Sequence, residues 1–105
     1  MKKISIVFIT IDKEKSADKI TNVLLKERLA ACVNRVKNVN SSYWWNGKIE
    51  RAIESLLIVK TKKTMVKKLI RRVKKLHPYT VPEIIAFDVK NGNKDYLRWV
   101  AEETL

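Results

Sequence analysis

At 105 residues, with 46% hydrophobic and 32% charged side chains, the chain has a soluble globular composition, and folding at this length removes roughly 65% of the unfolded surface from water, enough for a core without staples. One cysteine and one histidine exclude a disulfide framework and a structural zinc site, because Cys32 has no partner thiol and no Cys/His pair stands at ligand spacing. The net charge of +12 points towards anionic partners, and its placement along the chain decides what it means.

A single domain over residues 1–105 is expected. Met1-Lys2-Lys3 followed by Ile4 to Ile11 imitates a signal peptide, but the apolar run is short and meets Asp12-Lys13-Glu14-Lys15 without a small-residue cleavage site. Its β-branched, almost continuous apolarity suits a strand covered on both faces. No segment reaches the eighteen or so apolar residues of a membrane span, so no membrane partner is expected. The unpaired thiol makes a reducing, cytoplasmic setting the natural one.

Ala17, Ile20, Val23 and Leu24 recur at helical spacing, which predicts an amphipathic helix from about residue 14 to 30. Polar and apolar residues then mix from Cys32 to Ser42, ahead of Tyr43-Trp44-Trp45-Asn46-Gly47. Asn-Gly between such runs is the strongest short hairpin signal. The returning arm, Lys48 to Thr61, is polar near the turn and apolar further on. An arm of about 14 residues spans roughly 46 Å, whereas a compact chain of this length is only about 33 Å across, so the hairpin should outreach its own domain. Consecutive aromatic residues in a strand alternate in direction, leaving one ring face uncovered, and a second copy of the chain would cover it.

Met65, Val66, Leu69, Ile70, Val73 and Leu76 predict a second helix whose outer surface is lysine and arginine. A fourth strand is expected over Val81 to Val89, and Asn93 can cap a short last helix. The order βαββαβ with an added C-terminal helix and a long β2-β3 hairpin predicts an α+β, ferredoxin-like antiparallel sheet, its most apolar strands, one and three, at the centre.

His77-Pro78-Tyr79-Thr80-Val81-Pro82-Glu83 holds the only histidine and both prolines. Proline fixes φ and restricts the preceding residue, so this connection is rigid and carries an imidazole and a carboxylate. The imidazole suits a ligand or proton-transfer role and equally a helix C-cap. Glu83 could serve a site or pair with Lys60. Cys32 with His77 offers soft donors for copper or another divalent cation, though no spacing links them. No catalytic signature joins them, and an enzyme is not expected. Nucleic acid is not an expected partner: strand three, Ser55-Leu56-Leu57-Ile58-Val59, lacks the aromatic residues with which related RNA-binding sheets stack bases, and a solvated lysine face accounts for the charge.

Five stretches resemble, in order, the CutA family of divalent-cation tolerance proteins: Glu27-Arg28-Leu29-Ala30-Ala31-Cys32-Val33-Asn34, Tyr43-Trp44-Trp45-Asn46-Gly47-Lys48, Lys60-Thr61, His77-Pro78-Tyr79 with Val81-Pro82-Glu83, and Asn93 with Tyr96-Leu97 and Trp99. The resemblance implies a cytosolic homotrimer with the architecture of PII signalling proteins, a role in tolerance to copper and other divalent cations, and no established reaction. Position by position, the resemblance carries over His77 and Cys32; the expected site is for a divalent cation or small anionic ligand, in inter-subunit clefts built from His77, Tyr79, Glu83, Lys60 and Cys32, with Trp45 and Lys48 reaching in from a neighbouring hairpin. Some members carry a further cysteine and histidine where this chain has Ile9 and Leu76, and an acidic or amide residue where it has Thr80. A different reading is an interaction platform whose basic helix recruits an acidic protein or nucleic acid.

Overall fold

The computed structural model describes residues 3–105. Its elements are β1 (Ile4–Ile11), α1 (Glu14–Lys26), β2 (Cys32–Trp45), β3 (Lys48–Lys62), α2 (Val66–Leu76), β4 (Ile84–Asp88) and α3 (Lys94–Glu103), with one 3-10 turn (Lys63–Met65) before α2. The four strands form an antiparallel sheet in the order β2-β3-β1-β4, so the two most apolar strands hold its centre as expected.

Alternation along the central strands sorts side chains to two faces. Val7, Ile9 and Ile11 of β1 and Leu57 and Val59 of β3 turn to one face and are fully buried beneath Ala17, Ile20 and Leu24 of α1 and Leu69 and Val73 of α2. The opposite face carries Phe8, Ile85 and Phe87, the two phenyl rings meeting edge to face at 5.1 Å, and the latter two residues are exposed.

Two predicted boundaries shift. The first helix stops at Lys26, four residues short of expectation, because Arg28 takes a left-handed φ of 55°. The Leu29 amide then donates back to the Leu24 carbonyl and the Arg28 amide to that of Leu25, a Schellman-type end in which buried Leu29 packs against the last turn. The fourth strand is Ile84–Asp88 rather than Val81 to Val89; Pro82 offers no amide for a ladder, and pairing with β1 begins only at Ile84 opposite Ile9. The last helix is capped as foreseen, the Asn93 side chain accepting from the Asp95 amide.

The hairpin runs 14 residues out and 15 back, and the molecule is 45 Å long against widths of 26 and 22 Å. A bulge between Val36 and Val39, with Asn38 at φ 61°, bends the outgoing arm. At the tip Asn46 and Gly47 have φ of 50° and 76°, the two left-handed residues of a tight hairpin turn. A methyl group added at Gly47 would meet no atom within 4 Å, so Gly47→Ala should cost only the backbone term, about 1 kcal/mol. Urea denaturation checks this value.

Candidate ligand cleft beneath the hairpin

The Pro-rich connection leaves α2 and folds across the end of β1. His77 ends the helix with its amide on the Val73 carbonyl, and its ring turns inward until the residue is 7% exposed. Nε2 donates to the Thr10 carbonyl at 2.8 Å, and Nδ1 accepts the Tyr79 amide at 3.1 Å. Both nitrogens are therefore spent inside the fold, and the tautomer is set by the two backbone partners. The imidazole pins the turn to the strand.

Tyr79, held edge to face against that ring at 4.5 Å between centroids, sends its hydroxyl to Glu54 Oε2 at 2.7 Å. Glu54 is 7% exposed. Burial first, and then the bond and charge of Glu54, hold the Tyr79 phenol well above its ordinary pKa. The returning arm is polar where Glu54 stands, which suggests exposure; the signal that could have found it is that only Ser55 separates it from the apolar run Leu56 to Val59.

Between this turn and the hairpin lies a cleft of about 710 Å³. Tyr43 and Trp45 lie on its hairpin wall, Tyr79 and Glu83 on its turn wall, and Thr10 and Asp12 at its floor. Its charged side chains are Asp12, Glu54 and Glu83, with no lysine or arginine among the lining residues, in a chain of net charge +12. Trp44 points to the other side of the hairpin and is 73% exposed.

The foreseen site residues therefore divide into groups. Tyr79, Glu83 and Trp45 share the cleft, and His77 braces its wall from behind. Lys48 stands opposite Trp45 at the hairpin tip but does not line the cleft. Lys60 and Cys32 lie elsewhere, paired across β2 and β3. There the lysine Nζ donates to Asn34 and lies 3.9 Å from the Cys32 sulfur, so Lys60 does not pair with Glu83 as one reading expected. Lys60 is opposite Ile6 of β1, four residues from Thr10, which puts the thiol roughly 13 Å along the sheet from the imidazole level.

Within one chain this donor set does not fit a copper centre. The imidazole has no free nitrogen, the thiol sits beside an ammonium group, and among the described residues no group of three His, Cys, Asp or Glu side chains is placed to hold a metal ion. What the cleft offers is oxygen: carboxylates, hydroxyls and amide carbonyls, the donors hard divalent cations prefer. Among the described residues no helix is long and apolar enough to cross a membrane.

Comparison with known proteins gives a consistent result. The model of the family described as CutA1 divalent ion tolerance protein matches residues 5–103. The divalent-cation tolerance protein CutA of Thermus thermophilus is 48% identical over 99 residues, covering 94% of this chain and 96% of that one; the solved structure from that organism superposes with a TM-score of 0.93 over 96% of this chain and 98% of that one. A CutA1 structure from Oryza sativa, 38% identical, superposes with a TM-score of 0.95 over 99% and 95% of the two chains. The rice protein named CutA 1, chloroplastic, is longer: it is 39% identical over 94% of this chain, which spans 56% of its length.

Proposed function

Because the chain belongs to the CutA1 family of divalent ion tolerance proteins, we propose that it works as a homotrimer binding a divalent cation or small cationic ligand in the cleft beneath the hairpin, the site being completed by a neighbouring subunit. The observation that carries this reading is the charge of the lining: Asp12, Glu54 and Glu83 make the cleft acidic in a strongly basic chain. Such a concave, low-dielectric site concentrates cations against the overall charge of the molecule. In this reading Asp12 and Glu83 are the ligating carboxylates, Glu54 adds negative charge while bonded to Tyr79, and His77 positions the wall. Trp45 and Lys48 lie near the mouth, where an adjoining subunit would meet them.

Support for assembly comes from the apolar surface left bare. Trp44, Ile49 and Ile53 on one side of the hairpin are 73%, 52% and 63% exposed, and Ile85 and Phe87 on the open sheet face are 53% and 46% exposed. A monomer rarely leaves apolar patches of this kind in water, and a closed ring of copies covers them without open-ended growth. The role is one of binding, in the cytoplasm, in line with the unpaired thiol.

Sedimentation equilibrium should give three times the chain mass, and Trp44→Glu with Ile53→Lys should shift the protein to monomer. A monomeric wild type at micromolar concentration would remove the shared site. Calorimetric titration with manganese and with copper tests the donors. Asp12→Asn with Glu83→Gln should weaken manganese binding at least tenfold without changing the assembly, whereas unchanged affinity would take the carboxylates out of the site.

A further inference from the structure

The helix layer carries a charge pattern that the cleft does not use. α1 and α2 pack side by side and are tied by Glu27 and Arg72, whose guanidinium lies 2.9 to 3.2 Å from the carboxylate oxygens. That contact holds the Glu27 carboxyl below its usual range. The other acids of α1 are also answered from within the chain, Glu14 by Arg35 and Lys37 and Asp18 by Arg35. With every acid of the layer matched, the remaining cations have no ion-pair partner among the described residues, although Lys68 lies close enough to Glu27 to share its charge with Arg72. Lys67, Lys68, Arg71, Lys74 and Lys75 of α2 are all exposed, and none forms an ion pair among the described residues; Lys15, Lys19 and Lys26 of α1 are likewise exposed and unpaired.

At about 100° per residue these five cations of α2 cover an arc of roughly 120° along a helix of 11 residues, about 16 Å long. A duplex presents about one negative charge per 1.7 Å of its axis. The helix therefore spans roughly nine phosphates. We propose that this layer is a binding surface for nucleic acid, engaging the phosphate backbone of a duplex without reading its sequence.

The choice of partner follows from what the surface lacks. α2 exposes no large apolar side chain, its apolar stripe being used against the sheet, so it has nothing to insert between lipid tails. Protein interfaces depend on buried aromatic and aliphatic anchors and are depleted in lysine. Phosphate contact needs only placed cations, and it alone supplies non-specific affinities of about 10⁻⁴ to 10⁻⁶ M. The exposed side chains of α2 are lysine and arginine with no asparagine or glutamine, a set that suits phosphate contact over base readout. The absence of stacking aromatics on strand three bears on the sheet and not on this layer.

The test is fluorescence anisotropy with two unrelated duplexes of about 24 base pairs over a salt series. Wild type should bind both alike in the micromolar range at low salt, and log K should fall steeply with log salt. Lys67→Gln, Arg71→Gln and Lys75→Gln together should weaken binding at least tenfold and reduce the slope by about 2.7, at 0.9 per phosphate contact. A control removes the same charge elsewhere with Lys90→Gln, Lys94→Gln and Arg98→Gln, and should change neither quantity by more than a third of that. Equal losses in both triple variants would reduce the effect to net charge and overturn the surface. No binding at about 50 mM salt overturns it as well, as does tighter binding to phosphatidylserine vesicles or to polyglutamate than to the duplexes. The result is independent of the cleft, since neither triple variant touches a cleft residue.

Discussion

His77→Ala should lower the free energy of unfolding by about 3–5 kcal/mol, more than any substitution on the hairpin surface. Three losses add. The ring is buried against Tyr79 and the end of β1, so its removal leaves a cavity whose lining loses its packing partners. The Thr10 carbonyl loses its 2.8 Å donor and the Tyr79 amide its 3.1 Å acceptor, and each partly buried group left without a partner costs about 1–3 kcal/mol. The consequence reaches the cleft, because the turn carrying Tyr79 and Glu83 is then tied to β1 by fewer contacts. Urea denaturation measures the first effect. For the second, Trp45 emission, read against a Trp44→Phe, Trp99→Phe background, should report a wetter cleft. A denaturation midpoint unchanged by the substitution would mean that the imidazole is not engaged by the backbone, and would restore it as a candidate metal ligand.

That role for His77 marks where sequence reading ends. The strand order and the reach of the hairpin were legible because they follow from period, length and the Asn46-Gly47 turn, all local quantities. The helix end at Arg28 was not. Arg28-Leu29-Ala30-Ala31 are good helix formers, and the left-handed residue is arginine rather than the usual glycine. What stops the helix is tertiary: Leu29 enters the core, its carbonyl accepts the Thr61 hydroxyl at 2.6 Å, and the Ala31 amide is already committed to the Lys60 carbonyl. The site shows the same division. Two prolines flagged the turn, but the direction of a histidine ring depends on which carbonyl the fold brings beside it. Glu54 and Asp12 could not be read as site residues because they become cleft residues only when the hairpin bends over the end of β1. Lys60 and Cys32 face each other across β2 and β3, and only the register separates them from the turn.

Tyr79→Phe should destabilise the protein by about 2–3 kcal/mol at neutral pH, the scale of a hydrogen bond to a buried charged group left with one partner fewer. Glu54 Oε2 accepts the Tyr79 hydroxyl at 2.7 Å, and the carboxylate lies under the cleft with 7% exposure. Glu54→Gln keeps an acceptor and should cost less, and the double variant should recover part of the Tyr79→Phe loss, a coupling that a double-mutant cycle reads directly. The alkaline limb gives an independent check. The folded phenol is held above its ordinary value by burial and then by Glu54, whereas in the unfolded chain it ionises near pH 10. A raised folded pKa means that the stabilisation is complete below about pH 10 and declines as pH rises towards the folded value, because the unfolded state then releases a proton that the native state keeps. Phenylalanine has no proton to lose, so the gap between wild type and Tyr79→Phe should narrow above about pH 10. Every other ionisable group is common to the two proteins and cancels from this difference. A gap that stays constant from about pH 8 to 11.5 would show that the phenol is not coupled to the buried carboxylate, and the acidic wall of the cleft would then rest on Asp12 and Glu83 alone.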